Sequence, residues 1–395
     1  MQEAPPWRCF FFIRKADYME LHKLHADLDH LYGALLSHPL LRDDPNELEA
    51  FRGLYPILKE GCTGFDSFVT AASDLTGFFR DGHTNIELPY SPSDLCLPIP
   101  CAWQEDALLT QCGLGDIPAG TQILGVEGKP ALHILQSMSR RIPHENLYLV
   151  KSRMTAYPYQ NYHLFSKLNL TWLFGEKEAY RVDFLRGEQV DSRTIPLSPY
   201  SGFLDFPDEN DFLSWDIQQG AALLRLDSCI CNDAYLQALD ALAAACRAEN
   251  ATSLTLDLSH NMGGSSAVID PFLSHTDTPG FRRYEMIDYR SGQTVTSRSQ
   301  LVPNPRAEHL FPKKLYCIVG NHTFSSARTF AVTLKDNGLA TILGQPTGGK
   351  PSSYGMPCKD ALPHTGIRFR VSQALFLRPN AQLDEEDTLT PDQMI

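Results

Sequence analysis

The chain has 395 residues, 43% of them apolar and 21% charged, with no low-complexity block. That is enough chain for two or three domains and a large core. A net charge of -13 at pH 7 argues against nucleic acid or an anionic membrane surface as partner, because both are met by clustered Lys and Arg. No run approaches the length of a membrane span. The apolar cluster at Cys9, Phe10, Phe11, Phe12 and Ile13 is too short for a signal-peptide core and no small-residue cleavage site follows it. The expectation is a cytoplasmic protein. Its ten cysteines, scattered from Cys9 to Cys358 without a paired zinc spacing, are expected to stay reduced and to pack rather than bind metal.

The first region, residues 1–90, reads as helical. Leu21, Leu24, Leu28, Leu31 and Leu35 recur at three- and four-residue spacing, and Pro39 pushes His38 out of helical geometry, which ends that helix. His22, His25 and Asp29 share a face of it that is expected to be solvated. A second helical pattern, Phe65 to Phe79, leads into Arg80-Asp81-Gly82-His83-Thr84, and the proline-rich stretch Leu88 to Pro100 marks a boundary.

The second region, 91–200, mixes strand and helix signals. Ile117 to Pro130 carries glycines at Gly120, Gly125 and Gly128 around an alternating apolar pattern. It is similar to the element of PDZ-like modules, which hold peptide ends by strand addition; a plain β-hairpin with glycine turns reads the same residues. Strand patterns at Ala179–Leu185 and Ser192–Leu197 close the region, and Ser198–Asp211 is expected to be a linker.

The third region, 201–395, alternates strands and helices, the signature of a mostly parallel α/β sheet. Ala221–Leu226 is a strand, and Cys229 and Cys231 are expected on a strand with thiols to opposite faces. Asn232 caps a helix with Leu236, Leu239, Leu242 and Cys246 on one face. Leu254–Leu258 is a buried strand, followed by a glycine turn at Asn261-Met262-Gly263-Gly264. A further strand, Leu315–Gly320, enters the turn Asn321-His322-Thr323-Phe324-Ser325-Ser326. A helix at Ala327–Lys335, a strand at Ala340–Gly344 and the loop Gln345-Pro346-Thr347-Gly348-Gly349-Lys350 follow. A serine on a sharp strand-to-helix turn sits where free N–H groups and the helix dipole favour developing negative charge. Ser325 is therefore a candidate acyl-transfer nucleophile, with simple N-capping as the alternative.

Four segments together resemble the tail-specific (C-terminal-processing) serine peptidases, a family that includes tricorn-like enzymes. They are Asp81-Gly82-His83-Thr84, Asp257-Leu258-Ser259-His260-Asn261-Met262-Gly263-Gly264, Thr323-Phe324-Ser325-Ser326-Ala327 with Gly344-Gln345-Pro346-Thr347-Gly348-Gly349-Lys350, and Pro391-Asp392. The resemblance implies a crotonase/Clp-like α/β superhelical core behind a helical region and a PDZ-like middle. It also implies hydrolysis of peptide or unfolded protein through an acyl-enzyme on Ser325, with no metal or organic cofactor. Homo-oligomer formation is compatible with it. The oxyanion donors implied are Gly263 or Gly264 and the backbone of Ser326. Two bases stand open: His83, as in tricorn-like members, and Lys350, as in the Ser-Lys processing peptidases, which would need burial to act as a base. Glu385 in the run Asp384-Glu385-Glu386-Asp387 lies where tricorn-like members place their acid. Arg328 and Ser259 depart from the family pattern, standing where processing peptidases carry Glu and Arg. They keep open a catalytically inactive peptide-binding homologue as the alternative, with a non-peptidase acyl hydrolase a third reading.

Overall fold

The computed structural model describes residues 19–88, 91–155, 161–200 and 212–395. The apolar cluster at Cys9–Ile13 and residues 201–211 of the expected linker lie outside the described residues. The chain forms two compact units, Met1–Asp205 with Met356–Gln373, and Phe206–Gly355 with Ala374–Ile395.

In the first unit, helices Leu21–Leu35, Pro39–Asp43, Pro45–Gly61 and Phe65–Gly77 follow one another closely. The leucine spacing does what its period demands: Leu24, Leu28, Leu31 and Leu35 are buried and Leu21 is not. Each of these burials is worth about 1.5–3 kcal/mol relative to exposure. His38 does more than end the first helix. It caps the next one, Nδ1 accepting the Leu40 N–H at 3.1 Å, while Pro39 fills a first-turn position that needs no donor. Strand Asn85–Glu87 pairs antiparallel with Arg368–Val371, which pairs with Cys358–Ala361, and Ile86, Phe369 and Val371 join the leucine core.

A second core in this unit lies on an antiparallel sheet of Cys101–Gln104, Ala107–Thr110, Gln122–Val126, Ala179–Arg186 and Gln189–Pro196. The glycine-punctuated element is a hairpin within it: Gln122–Val126 pairs with Lys129–Pro130. Gly125 is required there, since a Cβ would lie 2.3 Å from the Lys129 carbonyl oxygen. Helix Ala131–Met138 buries Ile134, Leu135 and Met138 in this core.

The second unit carries a six-stranded sheet in the spatial order Leu213–Gln218, Ala221–Leu226, Ser253–Asp257, Lys314–Val319, Thr341–Gly344, Gln393–Met394. The first pair is antiparallel and every other pair parallel. Helix Asp233–Ala248 begins at Asn232, whose side chain accepts the Tyr235 N–H. Tyr235, Leu239, Leu242, Ala243 and Cys246 form its buried face, whereas Leu236, expected there, is exposed. The aromatic ring of Tyr235 takes the core position, with its hydroxyl donating to the Val268 carbonyl at 2.8 Å. Cys229 and Cys231 fall just after the strand ends at Leu226; Cys229 is buried and Cys231 half-buried, and the cysteines among the described residues are free thiols.

Pro391-Asp392 completes the sheet edge. The Asp392 N–H donates to the Ile342 carbonyl at 2.7 Å and its carboxylate accepts the Ile342 N–H at 2.8 Å. Lys335 pairs with the same carboxylate at 3.0 Å. The buried Thr347 of the Pro-Thr-Gly-Gly loop accepts the Leu389 N–H on its hydroxyl and the Thr388 hydroxyl on its carbonyl. Both motifs thus anchor the C-terminal segment to the parallel sheet.

Candidate active site

In the second unit, two parallel strands deliver two turns to the same place. Ser253–Asp257 runs into the glycine turn, and Lys314–Val319 into the turn that holds Ser325. Asn261, fully buried, ties them together. Its amide donates to the Leu226 carbonyl at 2.8 Å, its Oδ1 accepts the Gly263 N–H at 2.8 Å, and its own carbonyl accepts the Phe324 N–H at 3.1 Å. Thr323 adds a second tie: its hydroxyl donates to the Leu258 carbonyl at 2.7 Å and accepts the Gly320 N–H at 2.9 Å. The small polar residues flanking the expected site are the fasteners of the two turns.

Ser325 opens helix Ser325–Asp336 with a φ of +51°. For a residue with a Cβ this left-handed conformation costs on the order of 1 kcal/mol. The N-cap position belongs to Phe324, with no side-chain cap bond, so Ser325 is not the helix cap. Gly263, at φ +109°, lies directly against it. A Cβ there would be 2.6 Å from Ser325 Cβ, 3.0 Å from the Phe324 carbonyl oxygen and 3.1 Å from the Ser326 nitrogen. Gly264, at φ +136°, is pressed on the Cys229 carbonyl, 2.5 Å from where its Cβ would be, and its carbonyl accepts the Ser326 hydroxyl at 2.9 Å. The N–H of Gly263 is already committed to Asn261. Among the described residues the N–H groups of Gly264 and Ser326 have no acceptor, and they are the donors this cradle leaves for a ligand oxygen.

Lys350 belongs to the same unit. It is 39% exposed and pairs with Asp387 at 2.8 Å, the opposite of the desolvated, carboxylate-free setting a lysine base requires. Glu385 is exposed. Its neighbours are bound to arginines: Asp384 to Arg298 at 2.6 Å and Glu386 to Arg378 at 2.5 Å.

His83 lies in the first unit, two residues after a carboxylate hub. Asp81 is fully buried and accepts four bonds: from the His83 N–H at 2.9 Å, His38 Nε2 at 3.1 Å, and the hydroxyls of Thr84 and Ser372 at 2.6 Å each. Because His38 Nδ1 accepts the Leu40 N–H, its proton is on Nε2, pointing at Asp81. Burial works to raise the Asp81 carboxyl, but the hydrogen bonds and charge of His38 and His83 win and hold it well below the usual carboxylate range. The His83 ring is nearly buried, with Nδ1 3.6 Å from Asp81 Oδ1. Asp81, His83 and Glu145 each present one ligand atom, all within 4.8 Å of one another. The four bonds on Asp81 use its acceptor sites, which makes this group a hydrogen-bonded histidine setting rather than an open metal cradle.

Several of these residues were not singled out by the sequence. Glu145 carries no motif, and Ser372 stands 291 residues from Asp81, so neither leaves a local signal. Asp81 and Asn261 do leave one, since each accepts the N–H two residues on, an Asx-turn that the Asp-x-His and Asn-x-Gly spacings permit.

A mostly parallel sheet carries a strained serine at a strand-to-helix turn with a glycine cradle against it, an α/β arrangement. Residues 221–395 match the model of peptidase family S41. The fold is similar to that of mature CPAF complexed with lactacystin, 15% identical with a TM-score of 0.64, over 95% of this chain and 94% of that one. The structure of mature CPAF gives 15% identity and a TM-score of 0.63, over 95% and 92%. The photosystem II D1 C-terminal processing protease is 13% identical over 94% of this chain and 93% of that one, with a TM-score of 0.47. At 15% identity the likeness to mature CPAF is one of fold. No described helix is long and apolar enough to cross a membrane.

Proposed function

We propose that the chain is a serine peptidase that cleaves peptide bonds through an acyl-enzyme on Ser325, with His83 as general base. The observation that carries this reading is the contact of Gly263 with Ser325, where only a hydrogen fits and a strained serine is retained. In the first step the base takes the Ser325 hydroxyl proton as Oγ bonds to the substrate carbonyl carbon. The oxygen that becomes negative is received by the N–H groups of Gly264 and Ser326. Collapse breaks the C–N bond, and the amine leaves with the proton held by the base. Water then attacks the ester by the same route and returns the proton to Oγ. Gly263 supplies the space for the carbonyl to approach, not the donor.

His83 is favoured over Lys350 because its ring is shielded and set beside Asp81 and Glu145, while Lys350 is solvated and paired with Asp387. The carboxylates proposed to orient His83 are Asp81 and Glu145; no step is placed on Glu385. Peptides or unfolded segments are the substrates the family implies, and the middle antiparallel sheet is proposed as a PDZ-like module on the strength of its glycine hairpin. The regions 1–90, 91–200 and 201–395 are the proposed functional divisions.

The test is labelling by a fluorophosphonate together with cleavage of a peptide library. Rapid modification of the native chain, absent in Ser325→Ala, with peptide turnover abolished in that variant, is the expected result. A chain that folds but is neither labelled nor active is the peptide-binding homologue instead.

A further inference from the structure

The helix that begins at Ser325 carries a buried cation with no ion-pair partner among the described residues. Arg328, three residues after Ser325, is 2% exposed. One nitrogen is used: Nη2 donates to Ser353 Oγ at 2.7 Å. Nε and Nη1 are buried and have no hydrogen-bond partner among the described residues. A guanidinium offers five N–H donors, and leaving several of them dry beside an unneutralised charge is among the most costly arrangements a core can hold. The neighbouring Tyr284 and Asp336 supply no acceptor to it. The buried Tyr284 phenol donates to the Pro351 carbonyl at 3.1 Å, and burial pushes its ionisation far above neutral pH. Asp336 is spent on Arg378, with contacts at 2.6 and 3.0 Å.

The side chain is directed at the catalytic turn. Long side chains on a helix lean toward its N-terminus, and the Arg328 guanidinium carbon lies 5.6 Å from the centre of the Phe324 ring, the residue immediately before Ser325. The Ser326 N–H, which has no acceptor among the described residues, and the dipole of this twelve-residue helix add positive potential at the same end. Two separate sources of positive potential therefore converge beside Ser325, one of them a planar fork matched in shape to a carboxylate.

We propose that Arg328 is a specificity determinant that binds a carboxylate of the substrate near the scissile bond, the anion supplying the counter-charge and acceptors that the free protein lacks. The proposal rests on Ser325 being the acyl-transfer serine. A carboxylate reaches the site either as an acidic side chain of the peptide or as its free C-terminus, and Ser353 holds the fork in place for both.

Binding is measured by calorimetry on the Ser325→Ala protein, so that no turnover is needed. The probes are N-acetyl-glutamate α-amide for the side-chain source, N-acetyl-alanine for the terminal source, and N-acetyl-glutamine amide as neutral control. One acid is expected to bind at least about tenfold tighter than the control, and which acid does so identifies the source. Arg328→Gln is expected to abolish that preference, and Arg328→Lys, which keeps charge but not the fork, to weaken it. Thermal unfolding of Arg328→Gln should occur at or above the parent midpoint, because an uncompensated buried charge has been removed. Equal binding of all three probes, or a preference that survives Arg328→Gln, overturns the proposal. So does a large loss of stability in that variant, since it would mean the charge is already compensated. Failure of fluorophosphonate labelling would count against the serine's role and leave these binding results as they stand.

Discussion

Gly263→Ala is the most direct test of the cradle around Ser325. The added methyl would sit 2.6 Å from Ser325 Cβ and 3.0 Å from the Phe324 carbonyl oxygen. Carbon atoms rest at about 3.5–4.0 Å, so the two turns must separate by roughly 1 Å. A displacement of about that size at a reacting group costs on the order of 100-fold in rate, or about 2.7 kcal/mol of transition-state stabilisation. The variant also pays for a side chain at φ +109°, which lowers stability without being specific to the site. Gly338→Ala controls for that term: its φ is +66° and nothing lies within 4 Å of the added Cβ. Both variants should unfold cooperatively at reduced temperature, whereas only Gly263→Ala should lose kcat/KM on peptides. A folded Gly263→Ala protein within about threefold of native activity would refute the reasoning, because the close approach would then be irrelevant to the chemistry.

The two candidate bases rank in opposite orders under the two branches of the family: His83→Ala should lose most peptidase activity while Lys350→Met, which breaks only a solvated pair with Asp387, should keep most of it. The reverse ranking in steady-state assays would move the chemistry to a Ser-Lys pair. Stability should also fall as the pH drops from about 6.5 toward 4. Burial depresses His163 to about 3 and His322 to about 4, whereas unfolded imidazoles titrate near 6.5. The unfolded state therefore binds more protons in that window and gains on the folded one. Denaturant titrations at pH 7 and pH 5 check this, and His163→Phe should flatten the dependence; an unchanged slope would count against the buried neutral ring.

What the sequence made legible follows from what is local. Strand Ala221–Leu226, the Asn232 cap and the helix after Ser325 were written in apolar period and capping chemistry, which act within a few residues. Leu236 was misjudged because Leu and Tyr both satisfy a helical stripe, and the choice of Tyr235 depended on the Val268 carbonyl that its hydroxyl reaches. The site was legible where motifs are short, as with Gly263 and Ser325 at the ends of adjacent parallel strands. It was not legible where partners are distant in sequence. Ser372 joins Asp81 only because Arg368–Val371 pairs with Asn85–Glu87, a register that no local pattern encodes. Nor does composition tell a buried Arg328 from a solvated one.

The left-handed backbone at Ser325 has a consequence for descent. A glycine there would relieve left-handed strain on the order of 1 kcal/mol, partly offset by glycine's larger chain entropy when unfolded, and would delete the hydroxyl in the same stroke. Under the role proposed for Ser325, mutation at this position meets a slope on which relief of strain and loss of activity come together. Lineages that no longer need turnover should drift quickly to glycine, whereas a serine held in this posture is kept only where something continues to select for it.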